Sequence, residues 1–271
     1  NGNVYTDITQ SLSLGGLTYG VTNMELTSAY ASIANGGTYQ KPVLYTKVVD
    51  HNGNILLSNT QKGKRVMKES TAFLLTDAMK DVITKGTGKS AKLSSSMAVA
   101  GKSGTTSNSY DYWFSGYTPY HTASVWMGYD KNTNFASDNT HKKIWAKVMN
   151  EIIKTKQEQT TDFKKPADIV KAKVCKESGK LAIKEVCDHD PRGSRVITEY
   201  FEKGTVPTQT CDIHVAVEVC KTSDKLATKN CPANKKQRKI YIVRKKGSHG
   251  KTADTPYMLP KKYQSVFCKK H

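Results

Sequence analysis

The sequence predicts an α/β (α+β) fold, in which an antiparallel sheet is flanked by helices and is followed by small β-rich repeat modules. Three observations lead to this prediction. Residues 98–130 contain three successive strand-like runs, helical patterns lie before and after them, and a cysteine-containing pattern occurs twice in the last hundred residues. Aromatic and β-branched residues between Gly, Pro, Asn and Asp clusters are typical of strands joined by turns.

The part before these strands is predicted to hold two helices and a hairpin. The capping box Thr22-Asn-Met-Glu25 begins the first helix, and Gly36-Gly37 ends it. Residues 42–57 predict a hairpin, because Asn52-Gly53 separates apolar runs that include Val43-Leu44-Tyr45, and this dipeptide favours tight turns. The second helix is expected from about Lys68 until Gly86, since apolar residues recur there at helical spacing.

The three central strands carry the residues with the clearest chemistry. The first contains Lys102-Ser103-Gly104-Thr105-Thr106, and the others follow over residues 112–117 and 122–129. An ammonium group and several hydroxyls around a glycine, on one strand, suit the binding of a carboxylate. A third helix is predicted over residues 142–153, where apolar residues again follow helical spacing.

Two Gly-Lys-Ser tripeptides, at residues 88–90 and 101–103, invite comparison with a phosphate-binding loop. That loop also needs a glycine five positions before the Gly of the tripeptide, and Ile83 and Ser96 occupy those positions. We therefore exclude a phosphate-binding loop and interpret Gly86-Thr-Gly88 as a helix stop followed by a turn.

The last hundred residues contain two copies of one small module. Val174-Cys175-x-x-Ser178-Gly-Lys-Leu-Ala182 is matched by Val219-Cys220-x-x-Ser223-Asp-Lys-Leu-Ala227. Each copy has a second cysteine, Cys187 or Cys231, and each closes with Cys-x-x-His, at residues 211–214 or 268–271. The predicted organisation is a first domain over residues 1–155, a linker over 156–168, and modules over 169–214 and 215–271.

The chain is strongly basic, with 42 Lys and Arg against 23 Asp and Glu and a net charge of +19. Residues 161–271 carry +13 of this charge. A solvated surface explains such a tail, and the alternative is attraction to an anionic cell-wall polymer or a membrane surface. We predict no nucleic-acid partner, because no basic-aromatic stacking motif or zinc-finger spacing is present.

Several motifs in one order resemble the transpeptidase domain of class A penicillin-binding proteins over residues 1–155. They are Gly20-Val-Thr, Tyr30-Ala-x-x-Ala-Asn-Gly-Gly37, Lys85-Gly-Thr-Gly88, the Lys-Ser-Gly-Thr-Thr strand, Asp111-x-Trp-Phe-x-Gly-Tyr-Thr-Pro119 and Val125-Trp-x-Gly-Tyr-Asp130. The resemblance implies an incomplete penicillin-binding transpeptidase fold. It also implies acyl transfer through a serine ester, with Ser-x-x-Lys, Ser-x-Asn and Lys-Thr/Ser-Gly boxes.

By this resemblance, Lys102 supplies positive charge near the substrate carboxylate and takes part in the proton relay. The hydroxyls of Ser103 and Thr105 bind the terminal carboxylate of a D-Ala-D-Ala stem peptide or a β-lactam, with Thr106 beside them. The Thr105 N–H donates to the oxyanion. Gly104 lets the substrate lie against the strand, and Ser103, in place of the commoner Thr, keeps the hydroxyl.

The other two boxes are not where the family has them. Ser137-Asp138-Asn139 and Ser248-His-Gly-Lys251 have the right letters, but both follow the lysine box instead of preceding it. We interpret both as coincidences. The nucleophile is expected before Asn1, together with the glycosyltransferase domain and the membrane anchor typical of the family, so that the chain is a piece of a longer protein.

The cysteines allow two chemistries. In each module the Cys-x-x-His pair could be half of a Cys₃His zinc site. The resemblance favours disulfides, because it places these domains outside the membrane, where thiols oxidise. We predict possible disulfides Cys175–Cys187 and Cys220–Cys231, leave Cys211 and Cys268 undecided, and assign no metal and no cofactor.

The predicted function is that of a piece of a peptidoglycan synthase. Its parent would cross-link stem peptides and be acylated by penicillins at the extracytoplasmic face of the cell membrane. The alternatives are a β-lactamase or D,D-carboxypeptidase relative that shares the lysine box, and a non-catalytic cell-wall-binding protein whose basic tail binds the wall.

Overall fold

The computed structural model of the chain describes residues 6–244 and 252–270, which form two compact units, Asn1–Ala167 and Asp168–His271. The α/β fold class is confirmed, with small antiparallel sheets flanked by helices. Within the described ranges, no helix combines the length and the apolar character needed to cross a membrane.

The first unit contains three α-helices, two pairs of short strands and one three-stranded sheet among its described residues. The helices are α1 (Asn23–Ala34), α2 (Glu69–Thr84) and α3 (Thr140–Lys156). The strands are β1 (Thr38–Tyr39), β2 (Lys47–Val49), β3 (Ile55–Ser58), β4 (Lys64–Arg65), β5 (Ala100–Thr105), β6 (Asp111–Tyr117) and β7 (Thr122–Gly128). Strands β1 and β4 pair with each other, as do β2 and β3, and the remaining three form the main antiparallel sheet in the order β5-β6-β7.

One face of the main sheet packs against α3. The rings of Phe114 on β6 and Trp145 on α3 meet edge-on at 5.2 Å, and the Trp145 indole N–H donates to the Ala123 carbonyl at 3.0 Å. Both aromatic side chains are fully buried. This contact fixes the main sheet, of which β5 is an edge strand, against α3.

The opposite face is fastened to α2. Tyr117, three residues after Phe114 and hence on the other side of the strand, is fully buried, and its hydroxyl lies 2.8 Å from the hydroxyl of Thr76. Burial raises the pKa of Tyr117 to about 12. Residues Tyr30 and Ile33 of α1 pack on the same cluster.

The helices agree with the sequence prediction, including the capping box. The Thr22 hydroxyl accepts the Glu25 N–H, and the Glu25 carboxylate accepts the Thr22 N–H at 2.8 Å. The hairpin turns at Gly53, whose φ of +83° is accessible to glycine without strain. Val43-Leu44-Tyr45, predicted as part of this hairpin, lies outside its strands.

The segment predicted as a linker packs against the first unit instead. The Phe163 ring meets Tyr117 edge-on at 5.4 Å, Asp162 pairs with Lys80 at 2.8 Å, and Glu158 contacts His121 at 2.5 Å. The polar composition of this segment hid these contacts, because two of the three use charged side chains. The first unit therefore extends to Ala167.

The second unit contains two structurally equivalent modules. Its strands are β8 (Ile169–Cys175), β9 (Val196–Glu202), β10 (His214–Cys220), β11 (Lys225–Leu226) and β12 (Lys236–Ile242), with the short helix α4 (Lys262–Ser265). Strand β8 pairs with β9, and β10 pairs with both β11 and β12.

The same hydrogen bonds recur in each module. The Cys211 N–H donates to the Leu181 carbonyl at 2.8 Å, and the Cys268 N–H donates to the Leu226 carbonyl at the same distance. The N–H of Ile183 lies 3.3 Å from the Cys187 sulfur, and the N–H of Thr228 lies 3.3 Å from the Cys231 sulfur. The sequence repeat is thus a repeat of structure.

Candidate active site

Strand β5 presents the predicted carboxylate-binding residues along an edge. Among the described strands its one neighbour is β6, with Lys102 opposite Ser115 and Thr105 opposite Tyr112. Lys102 and Thr105 are exposed, and Ser103 and Gly104 are partly exposed. An edge strand leaves main-chain N–H and C=O groups available for an extended peptide.

A threonine in the turn after α2, which the sequence analysis interpreted only as part of a turn, contacts this strand. The Thr87 hydroxyl lies 2.8 Å from the Ser103 hydroxyl, across sixteen positions of sequence. Gly86 and Gly88 let the chain after α2 fold back sharply enough for this approach. A side chain at Gly88 would meet the Val82 carbonyl at 3.0 Å and the Ile83 side chain at 2.9 Å.

Two lysines contribute positive charge to this region. The Lys102 ammonium donates to the Ser103 carbonyl at 2.8 Å. Lys142, at the start of α3, is buried and donates to the Asn139 side chain at 2.7 Å. Burial lowers the pKa of Lys142, and the positive charge of Lys102 lowers it further. A carboxylate bound near both ammonium groups would relieve this repulsion.

The two glycines of β5 differ in the space around them. A Cβ at Gly104 would have Trp113 Cβ as its nearest neighbour, at 3.5 Å, which is an ordinary contact. A Cβ at Gly101 would lie 2.8 Å from the Ser115 carbonyl oxygen and 2.9 Å from Gly116 Cα. Packing within the chain therefore requires glycine at position 101 but not at 104.

Thr106, predicted to bind substrate, also has a structural contact in the turn after β5. Its hydroxyl oxygen accepts the N–H groups of Tyr110 and Asp111, at 2.9 and 3.0 Å, and so closes the turn between β5 and β6. Its role in substrate binding stays a prediction.

The Ser137-Asp138-Asn139 triplet makes local contacts in the structure. Ser137 lies 3.2 Å from His141 Nδ1, and Asp138 pairs with Lys143 at 2.7 Å. Hydrogen bonds from Lys143 and Thr140 lower the pKa of Asp138 to about 2. Residues 248–251, which spell the other box, lie outside the described residues.

The cysteines of the two predicted disulfides, Cys175–Cys187 and Cys220–Cys231, are all buried, and these pairings stay predictions. The fold brings a third cysteine to each pair. Sulfurs of Cys175, Cys187 and Cys211 converge with a nitrogen of His214, and those of Cys220, Cys231 and Cys268 also converge.

Two family models match parts of the chain, one in each unit. The model of the penicillin binding protein transpeptidase domain matches residues 3–154. The model of the penicillin-binding protein 1A C-terminal domain matches residues 165–216, which include the first cysteine module.

Curated relatives align with both units. Penicillin-binding protein 1A of Clostridium botulinum is 36% identical over 92% of this chain, and that of Clostridium novyi is 32% identical over 96%. The chain spans 30% of the length of each of these relatives. The crystal structure of penicillin-binding protein 1A from Haemophilus influenzae superposes with a TM-score of 0.58, at 24% identity, over 75% of this chain and 35% of that one. This likeness supports the fold.

Proposed function

The chain belongs to the penicillin-binding protein transpeptidase family, and on that premise we propose that β5 is the carboxylate-binding strand of a peptidoglycan transpeptidase. The substrate would be a stem peptide ending in D-Ala-D-Ala, and a β-lactam would bind in its place. The serine ester through which such enzymes act requires a nucleophile activated by a base. Among the residues that the structure describes, we identify no such pair beside β5.

The observation that carries the proposal is the hydroxyl pair of Thr87 and Ser103 at the edge of the sheet, 2.8 Å apart. One hydroxyl donates to the other, which leaves the O–H of the accepting hydroxyl free to donate to an anion. The ammonium group of Lys102, which directly precedes Ser103, supplies positive charge. Hydrogen bonds to an ionised acceptor contribute about 1.5–3 kcal/mol, roughly twice a neutral one.

The four residues from Lys102 to Thr105 each have a role in this proposal. Lys102 stabilises the bound carboxylate and takes part in the proton relay, and the hydroxyls of Ser103 and Thr105 bind the carboxylate oxygens. The Thr105 N–H donates to the developing oxyanion. Gly104 leaves open the surface along which the peptide backbone lies.

The whole enzyme is proposed to cross-link peptidoglycan at the extracytoplasmic face of the cell membrane. We propose a class A enzyme that also carries a glycosyltransferase domain, and the relatives named penicillin-binding protein 1A support this family assignment. The basic second unit would lie close to anionic wall polymer or to the membrane surface. A β-lactamase or a carboxypeptidase would release a hydrolysed product, whereas a transpeptidase joins two stem peptides.

The test uses the longer protein that supplies the family's Ser-x-x-Lys and Ser-x-Asn boxes together with this chain. We expect Ser103→Ala to slow acylation by a fluorescent penicillin about 10- to 100-fold, since one charge-assisted hydrogen bond is lost. Ser107→Ala, at an exposed turn position after the strand, is the matched control. Equal rates for both variants and the wild type would refute the proposal.

A further inference from the structure

The first cysteine module holds four potential metal ligands at one point. The three sulfurs of Cys175, Cys187 and Cys211 and a ring nitrogen of His214 all lie within 4.8 Å of one another. His214 Nδ1 is 3.4 Å from the Cys175 sulfur and 3.3 Å from the Cys211 sulfur. A tetrahedral zinc with bonds of about 2.3 Å to sulfur and 2.0 Å to nitrogen separates its ligands by about 3.5–3.8 Å. The two nitrogen-to-sulfur distances lie close to this separation.

The histidine is oriented as metal-bound histidines are. His214 Nε2 lies 2.6 Å from the Asp190 carboxylate, and both side chains are fully buried. If Nε2–H donates to this carboxylate, Nδ1 keeps its lone pair toward the three sulfurs. A carboxylate behind a ligating histidine is a recurring feature of zinc sites, because it fixes the tautomer and the ring orientation.

Asp190 is itself held rigidly. The Arg192 guanidinium donates to both oxygens of Asp190, from Nε at 2.9 Å and from Nη2 at 2.7 Å. Arg192 also pairs with Asp254 at 2.5 Å, and Arg244 pairs with the same carboxylate. Burying such a network of charges costs desolvation free energy. In this module the network positions one imidazole against three thiols.

Backbone groups complete the surroundings of the sulfurs. The N–H of Ile183 donates to the Cys187 sulfur at 3.3 Å. In the second module the N–H of Thr228 donates to the Cys231 sulfur at 3.3 Å. Each module thus directs one main-chain N–H at the sulfur of its second cysteine.

We propose that the first module binds a structural zinc ion through Cys175, Cys187, Cys211 and His214, with Asp190 positioning the histidine. Three thiolates and one imidazole in a closed, buried site suit tetrahedral zinc. The second module is proposed to bind a second zinc through Cys220, Cys231 and Cys268.

Disulfide bonds are the competing chemistry for these cysteines. A disulfide between any two of the three sulfurs would leave the third sulfur and the His214 ring outside the bond. Zinc uses all four groups at once. Metal release and thiol alkylation distinguish the two forms. Only the zinc-bound form releases metal and then has six thiols that can be alkylated.

The test uses the full chain, expressed with zinc and purified without reductant or chelator. We expect about two zinc ions per chain, released by a thiol-modifying reagent. Replacing zinc with Co²⁺ should give the visible absorption and the sulfur-to-metal charge-transfer band of tetrahedral thiolate coordination. These measurements on the wild type do not depend on whether any variant folds.

Variants then assign the sites. Cys211→Ser and His214→Ala should each weaken or abolish one of the two metal equivalents, and His189→Ala, an exposed histidine in the same module, should keep both. Asp190→Asn should lower the Co²⁺ affinity of the first site about 10- to 100-fold and leave the second unchanged. A chain that holds no zinc, with Cys175 and Cys187 joined in a disulfide-linked peptide or with all six thiols free, would overturn the proposal.

Discussion

The hydroxyl oxygens of Thr87 and Ser103 lie 2.8 Å apart, although one residue belongs to the turn after α2 and the other to an edge strand. This contact ties the turn to the strand at the point where a carboxylate is proposed to bind. The Lys85-Gly-Thr-Gly88 motif therefore contacts β5 in addition to ending α2.

Thr87→Val should slow acylation by penicillin in the longer protein by roughly 5- to 10-fold. Valine keeps the shape and removes the hydroxyl that orients Ser103, and one such hydrogen bond contributes about 1 kcal/mol. The second-order acylation rate constant measures the effect. Thr84→Val, at the exposed end of α2, serves as the control, and equal rates for the two variants would remove Thr87 from the site.

Gly104→Ala should separate binding from folding. The new methyl meets ordinary contacts within the chain, at 3.5 Å from Trp113, so the melting temperature should stay within a degree or two of the wild type. Acylation should slow, because the methyl occupies the surface along which the ligand lies. Unchanged acylation would show that the ligand does not approach this face.

Gly101→Ala should do the opposite and destabilise the fold. Its methyl would lie 2.8 Å from a backbone oxygen of β6, and overpacking of this kind costs about 1–3 kcal/mol. Thermal unfolding should therefore occur several degrees lower. A melting temperature equal to that of Gly104→Ala would contradict the strand pairing described for β5 and β6.

Acidification should destabilise the first unit through His141. This histidine is buried against Tyr112, and its pKa is lowered by burial and by the Lys142 charge, with Asp138 acting weakly in the other direction. The unfolded chain therefore binds the proton more readily, and stability is lost as the pH falls below about 6.5. Denaturant unfolding at pH 7.5 and pH 5 should show a larger loss for the wild type than for His141→Gln. An equal loss would show that another group titrates.

The second unit should bind anionic polymer in a salt-sensitive way, because residues 161–271 carry +13 of the net charge. We expect the triple variant Lys173→Gln, Lys221→Gln, Lys229→Gln of the full chain to elute from an anionic matrix at lower salt than the wild type. The control changes three exposed lysines of α3, Lys143, Lys147 and Lys154, to Gln. A larger shift for the control would locate the binding surface on the first unit.

Local patterns were enough to predict most elements of the first unit. The capping box at Thr22, the Asn52-Gly53 turn and the run from Lys102 each depend on residues close together in sequence, and each appears in the structure. The resemblance to the transpeptidase family, carried by the order of several such motifs, is confirmed by the family match over residues 3–154.

Contacts between distant residues could not be predicted in this way. Thr87 has no mark in sequence that distinguishes a turn residue from a partner of Ser103. The resemblance led to predicted pairs of cysteines eleven or twelve residues apart, and it gave no sign that the fold brings Cys211, two dozen residues after Cys187, to the same point. Asp190 carries no motif, and its role becomes visible only when the buried His214 is seen to contact it.

The most direct test of the central claim is the acylation rate of a Lys102→Ala variant in the longer protein. Loss of one preorganised charge at such a site typically slows the chemical step on the order of 10²–10³-fold. Lys92→Ala, an exposed lysine ten positions earlier, is the matched control and should react like the wild type. The account predicts a loss of this size for Lys102→Ala alone, and a rate close to wild type for that variant would contradict it.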